Sequence, residues 1–123
     1  MGQARGGPSV VAPAAGAVVL VRFPFSNLSQ VKLRPAVVLA DAGRGDWIPC
    51  QVTSKPYGDS RAIGLVDADF AMGSLRVTSY ARPGKLFTAN LDLIATQVGT
   101  LKPQPFQQTL DNIVDLLRGG RAQ

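Results

Sequence analysis

The chain has no histidine and no glutamate; all eight of its acidic side chains are aspartates. A histidine acid/base pair and a Ser-His-Asp triad are therefore impossible. Cys50 is the only cysteine, which excludes an intrachain disulfide and a Cys/His zinc site. In a strand, such a cysteine reads as a small hydrophobe. Charged residues make up only 17% of the chain against 46% hydrophobic, a balance that fills a core and lies outside the disordered class. No apolar run approaches the ~20 residues needed to span a membrane. The N-terminus carries Arg5 but no compact apolar segment with a cleavage site, so no signal peptide is read and the cytoplasm is the expected location. Neither a metal nor another cofactor is expected.

What remains is a single-domain length, 123 residues, with a net charge of +5. A surplus of cations suits a polyanionic partner such as RNA, DNA or an acidic protein. A chain this small buries a modest share of its surface, so a second copy would add stability.

Residues 1–15 are rich in Gly, Ala and Pro and read as a flexible extension. The domain is expected over residues 16–118, with 119–123 as a tail. Residues 17–23, AVVLVRF, read as a first strand, ended by Pro24. A polar loop is expected over 24–33. Residues 35–41, PAVVLAD, and 47–53, WIPCQVT, read as strands of a hairpin around AGRGD. A turn-rich loop, SKPYGDS, leads to a fourth strand over 61–66. A loop around 67–73, a short strand near 76–81, a helical turn over 83–88 and a strand over 91–98 complete the middle. Pro105 is placed to start a helix. Phe106, Leu110, Ile113, Val114 and Leu117 give that helix one apolar face at three- and four-residue spacing. Arg118 suits its C-terminal dipole, and Gly119-Gly120 stops it. Short strands closed by one helix predict a mainly β protein, a small antiparallel barrel or strongly twisted sheet.

The run GAVVLVRFPFSNLSQVKLRPAVVLA resembles the opening of MazF/PemK toxins: a strand, a loop, then Arg-Pro leading the second strand. QVTSKPYGD resembles the family's third strand, and SYARPGKLFTANLDLIATQVGTL its Ser-x-x-Arg, Lys-Leu and Ile-Gly-x-Leu region. The resemblance covers about residues 16–117. It implies an SH3-like β-barrel with peripheral helices, shared with CcdB-type gyrase inhibitors. It also implies a homodimer, metal-independent cleavage of single-stranded RNA, and an antitoxin that occupies the RNA groove. The family's catalytic Arg maps to Arg34 and its catalytic Thr to Thr53. Substrate contacts map to the loop before the Arg, Asn27 to Leu33, with Asn27, Ser29, Gln30 and Lys32, to Ser54 beside Thr53, and to the Ser79/Arg82 pair. Gly16-Ala17 departs from the family's frequent Gly-Asp. Ser29-Gln30-Val31-Lys32 departs from an acidic, glycine-rich loop and leaves the RNA sequence open.

The chemistry agrees with that mapping. RNA supplies its own nucleophile, the 2′-hydroxyl, so the enzyme need only align it, stabilise the phosphorane and manage two protons. Arg34 presents paired donors that match two phosphate oxygens. Pro35 holds the residue before it extended, so Arg34 is aimed. Thr53 offers a hydroxyl but no strong base; Ser54 is a second donor or a turn residue. The proton acceptor stays open between an aspartate, water and the arginine, with Asp59 the nearest carboxylate in sequence and a plausible turn cap. Asp67 and Asp69 are spaced for Mg²⁺ or, more plainly, for capping. Phe25 and Tyr57 sit in loops where they can stack on unpaired bases; Trp47 reads as core or dimer interface. Lys32, Lys55, Arg61, Arg76 and Arg82 form either a phosphate-contacting surface or scattered solubilising charge. Two non-nuclease alternatives stand beside this reading: a CcdB-like binder of a topoisomerase, and a decayed module that only binds RNA or antitoxin.

Overall fold

A computed structural model describes residues 12–24 and 31–120. The strands are β1 Ala17–Pro24, β2 Val31–Gly43, β3 Asp46–Thr53, β4 Ile63–Leu65, β5 Phe70–Gly73, β6 Ser79–Leu86, β7 Ala89–Asn90 and β8 Ile94–Leu101. One α-helix, α1 Pro103–Leu117, follows, and 3₁₀ turns occupy Asp67–Asp69 and Leu91–Leu93. The sheet runs β4-β6-β3-β2-β1-β8-β5, with β7 paired to β3. Every pairing is antiparallel. Ile63 and Leu65 from one sheet edge share a buried cluster with Phe70 from the other, together with Val18, Val37, Val52 and Ile113. The sheet must therefore curl, and α1 caps the inside of the curl. The opposite face buries Ala17, Val19, Val21, Ala36, Val38, Trp47, Ala89 and Ile94. Apolar residues on both faces explain the continuous AVVLV and AVVLA runs, where a half-exposed strand would alternate.

The β2–β3 hairpin forms as expected. Gly43 faces Asp46 across Arg44 and Gly45, whose φ values of 59° and 81° are those of a two-residue primed turn. Gly73 and Gly99 are matched in the β5–β8 pair. A Cβ on Gly73 would stand 2.1 Å from the Val98 carbonyl oxygen, and one on Gly99 2.7 Å from that of Met72, so neither site admits a side chain.

Several boundaries differ from expectation. β2 begins at Val31, paired with Pro24, so Lys32 and Leu33, expected in the loop, stand on the same strand as Arg34. The strand expected over 61–66 is confined to Ile63–Leu65, and the one expected near 76–81 starts at Ser79. Phe70–Gly73, expected as loop, is a strand, and the strand expected from residue 91 starts at Ile94 after a 3₁₀ turn. Residues 83–86, expected in a helical turn, continue β6. The β3–β6 register shifts between Cys50↔Leu86 and Val52↔Ala81. Pro83-Gly84 therefore forms a bulge, a place in a sheet where a residue without an N–H is tolerated.

The helix starts at Pro103, two residues before Pro105. Its buried face is Pro105, Thr109 and Ile113, whereas Val114 and Leu117 are exposed. Thr109 can sit at its centre because its hydroxyl donates to the Pro105 carbonyl at 2.9 Å, which satisfies the buried polar group. Gly119 ends the helix at φ 81°. Trp47 is core: it is buried, and its indole N–H donates to the Pro13 carbonyl at 3.2 Å. No helix among the described residues is long and apolar enough to cross a membrane.

Candidate active site

The β1–β2 register sets Leu20 opposite Pro35 and Val21 opposite Arg34. The β2–β3 ladder runs to Ala36↔Gln51 and stops beside Pro35, whose nitrogen has no hydrogen to donate. Carried two residues further, that register would set Arg34 opposite Thr53. The strands part where the ladder ends. A cavity of about 330 Å³ opens there, lined by Leu20, Leu33, Arg34, Pro35, Val52, Thr53, Ser54, Leu75, Val77 and Ser79.

Arg34 is half-buried on the cavity wall, where a guanidinium is less screened than in bulk water. Thr53 Oγ1 accepts the Lys55 N–H at 3.2 Å. That bond orients the hydroxyl and leaves its own hydrogen to donate into the cavity. Ser54 lies exposed on the rim. Ser79 is buried, and its hydroxyl donates to the Val77 carbonyl at 3.0 Å, which steadies the wall. The arrangement is a guanidinium with one or two hydroxyls between apolar walls, suited to gripping one phosphodiester group.

Other expected site residues fall elsewhere. Phe25, Asn27, Ser29 and Gln30 lie outside the described residues. Lys32 is exposed on β2 opposite Phe23. Tyr57 is exposed at φ 56°, with the Arg82 guanidinium carbon 5.6 Å from its ring centroid. Neither Tyr57 nor Arg82 lines the cavity. Arg82 Nε instead pairs with Asp59 Oδ2 at 3.1 Å, and Asp59 Oδ1 accepts the Arg61 N–H at 3.0 Å. Asp59 is thus both the expected turn cap and an ion-pair partner. Asp67 accepts the Ser74 hydroxyl, and Asp69 accepts the Val66 N–H at 2.8 Å, as capping carboxylates do. No cluster of three or more potential metal ligands occurs among the described residues. The apolar walls Leu20, Leu75 and Val77 escaped the sequence reading, whereas Leu33 closes the loop expected to contact RNA.

Fold and cavity together define a curled antiparallel sheet with an arginine–threonine cleft at the parting of its second and third strands. Solved structures supply the particular likeness. The MazE–MazF complex (form II) from Deinococcus radiodurans matches at 21% identity over 86% of this chain and 96% of that one, with a TM-score of 0.69. Mycobacterium tuberculosis toxin MazF-mt6 matches at 15% identity over 83% and 96%, with a TM-score of 0.65. A mycobacterial endoribonuclease in complex with its cognate antitoxin matches at 13% identity over 89% and 96%, with a TM-score of 0.64. The chain has the MazF fold. No protein-family model and no curated protein matches the sequence.

Proposed function

We propose that this protein is the toxin of a type II toxin–antitoxin pair and cleaves single-stranded RNA at the Arg34–Thr53 cavity. The observation that carries the reading is the meeting of Arg34, Thr53 and Ser54 around one cavity in a fold whose solved relatives include endoribonucleases. In the proposed reaction the RNA 2′-oxygen attacks the adjacent phosphorus and the bond to the 5′-oxygen breaks. The 2′-hydroxyl loses a proton and the leaving oxygen gains one, with water as the carrier. The products are a 2′,3′-cyclic phosphate and a 5′-hydroxyl. Arg34 neutralises the phosphorane, and the Thr53 hydroxyl donates to one of its oxygens. The reaction needs no metal. An antitoxin covers the cleft; two of the solved relatives are themselves toxin–antitoxin complexes. A cytoplasmic homodimer is the proposed working form.

The test is incubation with a long single-stranded RNA in EDTA, followed by mapping of cut sites and end groups. Arg34→Ala should lower the rate by about 10²–10³, the usual cost of one preorganised donor, with an unchanged circular dichroism spectrum. A wild-type protein that leaves RNA intact, or cuts it only after Mg²⁺ is added, sinks the mechanism. Growth arrest that survives the Arg34→Ala, Thr53→Ala double change would point instead to a protein target.

A further inference from the structure

A second cavity, of about 320 Å³, adjoins the first; Val66, Asp67, Ala68, Arg76, Val77 and Thr78 line it. Val77 lines both cavities, so the two share a wall. The two charged walls of the second cavity are set by one hydroxyl. Ser74 Oγ donates to Asp67 Oδ1 and accepts the Arg76 N–H at 2.7 Å. Arg76 is held at φ 68°, a left-handed conformation that costs an L-residue free energy. The Ser74 bonds fix an exposed arginine and a carboxylate on one cavity, which the exposed side chains of Val66 and Val77 also line. The 3₁₀ turn that carries Asp67 is capped by Asp69, while Asp67 Oδ1 accepts the Ser74 hydroxyl.

We propose that this cavity is a nucleotide subsite, taking the RNA residue next to the bond broken at Arg34 and Thr53. The proposal rests on the RNA-cleaving reading of the first cavity. A nucleotide is an anion joined to a flat apolar ring with hydrogen-bond donors on its edge, and the cavity offers the complement of each part. Arg76 takes the phosphate. Val66 and Val77 take the faces of the base. Asp67, an acceptor only, takes N–H donors on Oδ2, the oxygen not bonded to Ser74; guanine presents two adjacent donors on N1 and its amino group, uracil only one. The site therefore selects guanine over uracil beside the cut.

Two variants test this. Arg76→Gly removes the guanidinium and suits the left-handed backbone. Asp67→Asn keeps an oxygen for Ser74 and replaces the other acceptor with a donor. Binding is measured on the cleavage-deficient Arg34→Ala background, by fluorescence anisotropy with short single-stranded RNAs carrying G or U at the flanking position. Cut sites are mapped in the Arg34 parent. Arg76→Gly should weaken binding about tenfold, and Asp67→Asn should erase a roughly tenfold preference for G, the scale of one good base contact. RNA that is bound and cut by both variants as by their parents overturns the subsite and leaves the nuclease reading standing. RNA neither bound nor cut by the unsubstituted protein overturns both.

Discussion

At the scale of single residues, Cys50 shows how position sets chemistry. It lies in the middle of β3 with no exposed surface, and its thiol donates to the Arg82 carbonyl at 3.1 Å. Burial pushes its pKa from 9.0 up to about 12, and the nearby Asp59 charge adds to that shift. A neutral buried thiol is a poor nucleophile, so native protein should resist alkylation by iodoacetamide at pH 8. Stability follows from the same shift. Below pH 9 the thiol is protonated in both folded and unfolded chains, and its contribution is complete. Between 9 and 12 only the unfolded chain loses the proton, so stability falls as pH rises through that window, by up to ~1.4 kcal/mol per pH unit. Urea midpoints at pH 8, 9 and 10 should therefore decline less steeply in Cys50→Ala than in wild type. Parallel declines would remove Cys50 as a source of alkaline sensitivity.

At the scale of elements, the question is how the segment after Thr53 is held. Residues 54–62 form no strand, yet three contacts tie them down. Asp59 joins them to β6 through Arg82, and the Asn112 side-chain amide of α1 donates to the Arg61 carbonyl at 3.1 Å. The Arg61 guanidinium also donates to the Gly120 carbonyl beyond α1. Both side chains of the Arg82–Asp59 pair are about one-fifth exposed, at 20% and 18%, so solvent screening is partial and the coupling should be modest. A double-mutant cycle of Arg82→Ala and Asp59→Asn should give about 0.5–1 kcal/mol of coupling, with faster amide exchange confined to 54–62. Strict additivity would mean that the pair contributes nothing. The motif reading treats Arg82 as an RNA contact because a sequence records a guanidinium but not its partner. The same limit explains the other differences. PAVVLAD and WIPCQVT were legible as a hairpin because strand composition and turn residues are local. Pro83-Gly84 looked like a helical turn because a bulge exists only relative to the strand beside it. The four residues of β5 became a strand only by pairing with β8. Arg34 and Thr53 were legible through the order of three motifs, while the walls from Leu75 and Val77 depend on chain segments meeting across the sheet.

At the scale of the whole molecule, the surplus of cations becomes a measurable property. Thirteen Lys and Arg against eight Asp leave a net charge of +5, but net charge alone does not separate a polyanion-binding protein from a merely basic one. Salt dependence does. A cation that contacts a phosphate displaces condensed counterions, and for single strands the logarithm of affinity falls by about 0.7 per contact for each tenfold rise in salt. Arg34 and Arg76 line the adjoining cavities, and Lys32 and Lys55 are exposed within two residues of Arg34 and Thr53. If three or four of these meet phosphates, raising salt from 50 to 200 mM should weaken RNA binding by roughly twenty- to fifty-fold. Scattered solubilising charge would give an almost flat response. The slope also counts contacts one at a time: Arg76→Gly should lower it by about 0.7, whereas Arg118→Ala, beyond the end of α1 and in neither cavity, should leave it unchanged. Equal losses of slope from both substitutions would mean that RNA is held by the protein's overall field and not by the cleft.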